Sequence, residues 1–287
     1  MAVSRIGSVA SAPPSQAGVE AAIGRAAQAT GTDFDYLLAQ ARLESGLDPA
    51  ARARTSSAAG LYQFIDATWL ATLDRHGEEH GLGWAAQAID GGRMDGGIDP
   101  AMRAGIMALR HDPEASATMA GELAADNRAA LTAATGREPG PSELYLAHFL
   151  GAEGATRFLR AQQADPSAPA AALLPRAAAA NRAIFYHPTG AARSLGEVHG
   201  LISAKMDAAL EQGGAQGGAL PAPAQWAGAP AGAPRVTGPV AREFAARAAS
   251  LPPMQRGSMA DTLRASFGAA APAHVRAAYG QLRSLGL

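Results

Sequence analysis

A chain of 287 residues with a formal net charge of −1 can hold one substantial domain plus an appendage, and its charge balance gives no sign of a general nucleic-acid surface. It has no cysteine, which excludes disulfides and thiolate metal sites, and no segment approaches the roughly 18 apolar residues of a membrane span. Hydrophobic residues make up 48% of the chain but aromatics only 5%, and much of the apolar content is alanine, a helix former that packs helices closely.

No run of alternating β-branched residues is long enough for a sheet, so the expected fold class is all-α. Residues 1–16, rich in Ser, Ala and Pro, read as a flexible arm. They lack the continuous apolar core of a secretory signal, so a chain acting outside the cytoplasm would need another delivery route or a leader already removed. A helix follows over 17–30, with Val19, Ala22, Ile23 and Ala26 on one face. The next helix carries Phe34, Leu37, Leu38 and Ala41 as its apolar face, with Thr32 as the expected cap and Asp35 as the fourth member of a capping box. Gly46 and Pro49 stop it.

Residues 47–60 form a loop dense in Ala, Arg and Ser, either an ordinary mobile loop or one small enough for close approach of a ligand. Asp66 is the expected cap of a helix with Ile65, Trp69 and Leu73 as its stripe, Trp69 being a core residue. Residues 77–99, rich in glycine and acids, read as a rim loop, and the spacing of a calcium loop is absent. The seven histidines show no HExxH spacing. Helices are expected over 100–111 and 113–134, the second with Met119, Leu123, Ala130, Leu131 and Ala134 facing the core. Ser142 is the expected cap of the helix bearing Tyr145 and His148, neighbours on one face. Further helices are expected over 152–163, 169–186 and 194–212, the last opened by a Ser194/Glu197 capping box. Residues 213–239 are a Gly/Ala/Pro linker, and 240–287 a small helical tail that either docks a protein partner or packs back on the main domain of 17–212.

Glu44 is the residue that carries chemistry. At about 100° per residue it falls beside Leu37, at the edge of the apolar face and on the last turn of its helix. A carboxylic acid there is costly unless neutral or paired. Two readings follow: an ion pair with Arg42, Arg52 or Arg54, or an acid kept protonated by partial burial, as a general acid for glycosidic cleavage requires.

Glu44-Ser45-Gly46, followed by Ser56-Ser57-Ala58-Ala59-Gly60-Leu61-Tyr62-Gln63-Phe64, resembles the soluble-type lytic transglycosylase family with the goose-lysozyme fold. That family has an E-S motif at a helix end, a G-L-M-Q motif after a small-residue loop, and a later A-Y-N motif. Ala147-His148-Phe149-Leu150-Gly151 stands at the third motif and is similar to phage-associated members. The resemblance covers roughly residues 17–210. It implies Glu44 as the catalytic residue, Ser45, Ser56, Ser57, Gln63, Tyr145 and His148 as substrate contacts, and no cofactor. Tyr62 replaces the usual Met, either packing on a sugar face or filling core space.

The implied partner is a peptidoglycan glycan strand, and the implied reaction needs one carboxyl acting as acid and then as base. The implied setting is the cell envelope or a virion-like particle, flagellum or secretion machine. A goose-type hydrolase using Asp66 or an acid of 90–99 to activate water is the alternative within the fold, and a glycan-binding structural protein is the alternative outside catalysis.

Overall fold

The structure, a computed structural model, describes residues 14–54, 56–94 and 97–216. Those residues are all-α, with isolated β-bridges and no sheet among them. The tail read over 240–287, the linker from 217 onward and the first 13 residues of the arm lie outside the described residues. Among the described residues no helix is long and apolar enough to cross a membrane.

Helix α1 spans Gln16–Thr30, and the Ser15 hydroxyl caps it by accepting the Gly18 N–H. Helix α2 spans Phe34–Ser45. Asp33, not Thr32, is its N-cap, its carboxylate accepting the Tyr36 N–H. Thr32 is buried and its hydroxyl instead donates to the Gly121 carbonyl at 3.0 Å. Burial on α2 runs from Tyr36 through Ala41, wider than a single stripe, because neighbours enclose the helix on several sides.

Helix α3 spans Asp66–His76. Trp69 is fully buried, donates its indole N–H to the Ile106 carbonyl at 2.8 Å and meets Phe64 edge-on. Ile65 is the N-cap and is exposed, so it leaves the expected stripe; Asp66 is the first helical residue and does not cap. The stretch read as a rim loop contains helix α4, Gly83–Met94. Leu82, Ala85, Ala86 and Ile89 recur there at helical spacing and are buried, and that burial outweighs the glycines. Helix α5, Pro100–Ala108, is capped by Asp99 and ends in a 3₁₀ turn, Leu109–His111.

Helix α6, Pro113–Thr135, is the central element. Asp112 caps it, Pro113 fits its first position, and residues 115–121 are buried on every side. Small side chains make that possible: a Cβ on Gly121 would lie 2.3 Å from Thr30 Oγ1 of α1. Of the expected face, Ala130 is exposed, because the later turns of α6 emerge from this packing.

Helix α7 spans Pro141–Ala164 with a break at Gly151, whose φ of 75° and ψ of 158° are non-helical. Gly140, not Ser142, holds the N-cap position, and the Glu143 carboxylate accepts the Gly140 N–H at 3.0 Å while Arg137 clamps it. The expected helix over 169–186 is three short ones: α8 Ala170–Leu173, α9 Pro175–Ala180 and α10 Arg182–Phe185. Leu174, at φ −129° and ψ 63° before Pro175, makes the first interruption, and Asn181, at φ −130° and ψ 52°, makes the second.

Helix α11, Leu195–Gln216, opens with the reciprocal Ser194/Glu197 capping box. It buries Leu195, Val198, Ile202, Met206 and Ala209. It continues past residue 212, and Gly213 is buried against Arg42, so the domain extends beyond the expected boundary.

The apolar side chains form two clusters. One gathers α1 to α6 with Leu144 of α7 and the second half of α11; the other gathers α7 to α10 with Leu131 of α6 and the first half of α11. Tyr145 packs against both.

Candidate active site

The end of α2 is built by its backbone. Gly46 adopts φ 63°, and its N–H turns back to the Arg42 carbonyl at 3.0 Å. Leu47 follows at φ 68°, a left-handed conformation unusual for a branched side chain, held by its packing against the first core cluster. The chain therefore leaves sharply after Ser45, and Glu44 stands on the final turn with its side chain 18% exposed.

Helix α7 brings its partners. His148 Nε2 lies 3.4 Å from Glu44 Oε1, and the His148 ring runs nearly parallel to Tyr145, with centroids 6.0 Å apart and 16° between planes. Burial pushes the Tyr145 phenol well above its ordinary pKa, and the Glu44 charge and a hydrogen bond to Glu44 push it the same way. A neutral phenol is thus held against the Glu44 carboxyl group. Tyr36, earlier on α2, is also raised, by burial first and then by the charges of Tyr145 and Glu44. Residues far apart in sequence therefore converge on one carboxyl at the seam of the two core clusters.

The arginine pairing of Glu44 does not occur. Arg42 turns to Glu20 at 3.8 Å, and among the described residues no arginine lies within ion-pair distance of Glu44.

The other motif residues hold the loop between α2 and α3. The Ser45 hydroxyl is engaged with the Leu61 carbonyl at 2.8 Å and the Ala41 carbonyl at 3.1 Å. Tyr62 is fully buried and donates to the Leu37 carbonyl at 3.1 Å, so it fills core space and does not meet a sugar face. Gln63 sits at φ 47° with its amide N–H on the Gly60 carbonyl at 2.9 Å. Ser56 and Ser57 are exposed; Ser56 accepts the Ala58 N–H and Ser57 accepts the Asp66 N–H, the start of α3.

Arg110 is the anchor that sequence reasoning missed. It is buried, and one Nη donates to the Ser57 and Phe64 carbonyls and to Asp66 Oδ1. Gly60, at φ 80°, packs on its backbone: a Cβ there would lie 1.8 Å from the Arg110 carbonyl oxygen. The signal available was a lone arginine in an otherwise apolar helix end, Met107-Ala108-Leu109-Arg110. Asp66, the expected base of the hydrolase alternative, is paired with Arg110 at 2.9 Å and Arg103 at 3.4 Å. Asp99 of the 90–99 stretch is occupied as the α5 cap.

The arrangement is one half-buried carboxyl, a neutral phenol donor and an imidazole. Such a set can give a proton away and take one back. No model of a known protein family matches the chain, so this geometry carries the functional reading.

Proposed function

We propose that the chain is a peptidoglycan lytic transglycosylase cutting the β-1,4 bond from N-acetylmuramic acid to N-acetylglucosamine. The carrying observation is that Glu44 is met by Tyr145 and His148 while Asp66 is engaged by two arginines. In the proposed reaction the Glu44 carboxylic acid protonates the bridging oxygen as the bond to muramic C1 breaks. The substrate's N-acetyl group stabilises the developing cation. The Glu44 carboxylate then removes the C6 hydroxyl proton as O6 bonds to C1, which closes a 1,6-anhydro ring and restores the acid. Tyr145 donates to the carboxylate between these steps, and His148 positions it. The setting in this proposal is a machine that opens the wall locally.

Mass spectrometry of fragments released from purified peptidoglycan tests it. The wild type should yield anhydro ends, about 18 mass units lighter than hydrolysed ones, because the sugar's own hydroxyl replaces water. Glu44→Gln should fold and release nothing. Reducing ends alone would favour hydrolysis, and release by Glu44→Gln at the wild-type rate would remove Glu44 from the chemistry. Glycan binding without release by the wild type would favour the structural-protein alternative.

A further inference from the structure

A second group of titratable side chains, sharing no residue with the Glu44 site, stands where the end of α3 meets the middle of α6. His76 is the last residue of α3, Glu79 and His80 lie in the turn after it, and Glu122 and Asp126 are one turn apart on α6. Gly77 lets the chain fold back, since a Cβ there would lie 2.5 Å from the Leu73 carbonyl oxygen.

The atoms of this group are arranged in pairs. Asp126 Oδ2, which Arg75 also contacts, lies 3.1 Å from His76 Nε2. With Nε2 as the donor to this carboxylate, the lone pair of the ring lies on Nδ1. That Nδ1 faces Glu122 Oε2 at 3.4 Å. In that tautomer two lone-pair atoms face each other, and their separation is longer than the ordinary N–H···O range of about 2.7–3.2 Å. A tetrahedral zinc ion with bonds of about 2.0–2.2 Å to nitrogen and oxygen sets its ligand atoms about 3.3–3.5 Å apart. The His76–Glu122 spacing matches one edge of that tetrahedron. Glu79 supplies a third oxygen, and the three ligand atoms of His76, Glu79 and Glu122 all lie within 4.8 Å of one another.

A supporting shell stands behind these atoms. His80 is 4% exposed, its Nε2 lies 2.6 Å from Glu122 Oε1, and its Nδ1 has no partner. The ring's one polar engagement is thus to hold Glu122. Carboxylate behind histidine and imidazole behind carboxylate is how metal ligands are oriented.

We infer that His76, Glu79 and Glu122 form a binding site for a divalent transition-metal ion of the zinc type, oriented by Asp126 and His80, which clips the turn after α3 onto α6. The mixed imidazole and carboxylate donors suit zinc better than calcium or magnesium, which take oxygen ligands.

Calorimetric titration of the full chain, stripped with chelator, against zinc chloride tests this site. One equivalent of zinc should bind saturably and raise the melting temperature. His76→Asn and Glu79→Gln should each weaken binding by about tenfold or more. Glu79 is exposed on the turn, so Glu79→Gln should melt with the wild type in chelator, which separates loss of the site from loss of the fold. Absence of saturable binding, or wild-type affinity in either variant, overturns the assignment.

Discussion

Tyr145→Phe isolates one hydroxyl at the proposed centre. The ring packs against both core clusters and stacks near His148, so phenylalanine keeps the packing that alanine would remove. What is lost is donation to the Glu44 carboxylate in the interval between giving up its proton and recovering one. A hydrogen bond to a charged group is worth about 1.5–3 kcal/mol, and each 1.36 kcal/mol is a factor of ten in rate, so the turnover loss should be about 10- to 150-fold. Tyr145 is largely but not wholly buried, and the lower part of that range is expected. The readout is the initial rate of muropeptide release from purified wall, with a melting curve alongside. The pH dependence adds a second check. The phenol's pKa is raised, so its proton stays on above the ordinary tyrosine range near 10. The wild-type-to-variant rate ratio should therefore stay level from neutral pH through about 10. An unchanged rate, or a ratio that already collapses between about pH 8 and 10, would show that the phenol does not act in this way.

His148→Ala should slow release by about 10- to 100-fold without abolishing it, as for a positioning group 3.4 Å from Glu44; complete loss, or no change, in the same assay refutes that role. Gly60→Ala places a Cβ against the Arg110 carbonyl at φ 80° and should destabilise by about 3 kcal/mol, seen as a fall in urea midpoint; a neutral result would contradict the anchoring of this loop. Tyr36, Tyr62 and Tyr145 all have raised pKa values, chiefly through burial. Above about pH 10 the unfolded chain releases these protons while the fold retains them, so stability is full below that pH and falls as pH rises, by about 1.4 kcal/mol per unit for each tyrosine. Urea titrations between about pH 9 and 11 should show a shallower fall for Tyr62→Phe than for the wild type, and parallel curves would refute this account.

The helices were legible wherever apolar periodicity and punctuation agreed. Pro113 and Gly136 bracket α6, and the Ser194/Glu197 box opens α11 as its spacing requires. Caps were misread where a neighbouring polar residue had a tertiary partner: Thr32 is drawn to Gly121 and leaves the cap to Asp33. Glycine in 77–99 concealed α4, because buried Ala85 and Ile89 decide that segment. At the site, the position of Glu44 followed from helix period and stop signals. The approach of α7 did not, since local pattern cannot say which helix end meets which face. The motif resemblance supplied that expectation for His148, and the structure brings the two residues to 3.4 Å. Tyr36 was passed over because a tyrosine among leucines reads as core, which it also is.

The motif positions divide by what their polar atoms touch. Ser45, Tyr62 and Gln63 satisfy backbone carbonyls, and Ser56 and Ser57 accept backbone N–H groups. Their polar atoms tie the loop that follows Glu44 to itself and to the flanking helices α2 and α3, and Arg110 locks that loop from behind through the Ser57 and Phe64 carbonyls. A loop between two helices has few ladder bonds, so side chains must occupy its backbone groups if it is to keep one shape. That requirement constrains the residues whatever the protein does. The loop alone therefore accounts for these residue types at these positions. The chemistry stands on the residues that the loop and α7 present together: a carboxyl on a terminating helix turn, flanked by a neutral phenol and an imidazole one turn apart. Tyr145→Phe and His148→Ala address that part, whereas Gly60→Ala addresses the scaffold. Loss of activity from the first two with an intact melting curve, and loss of stability from the third, is the pattern this division requires.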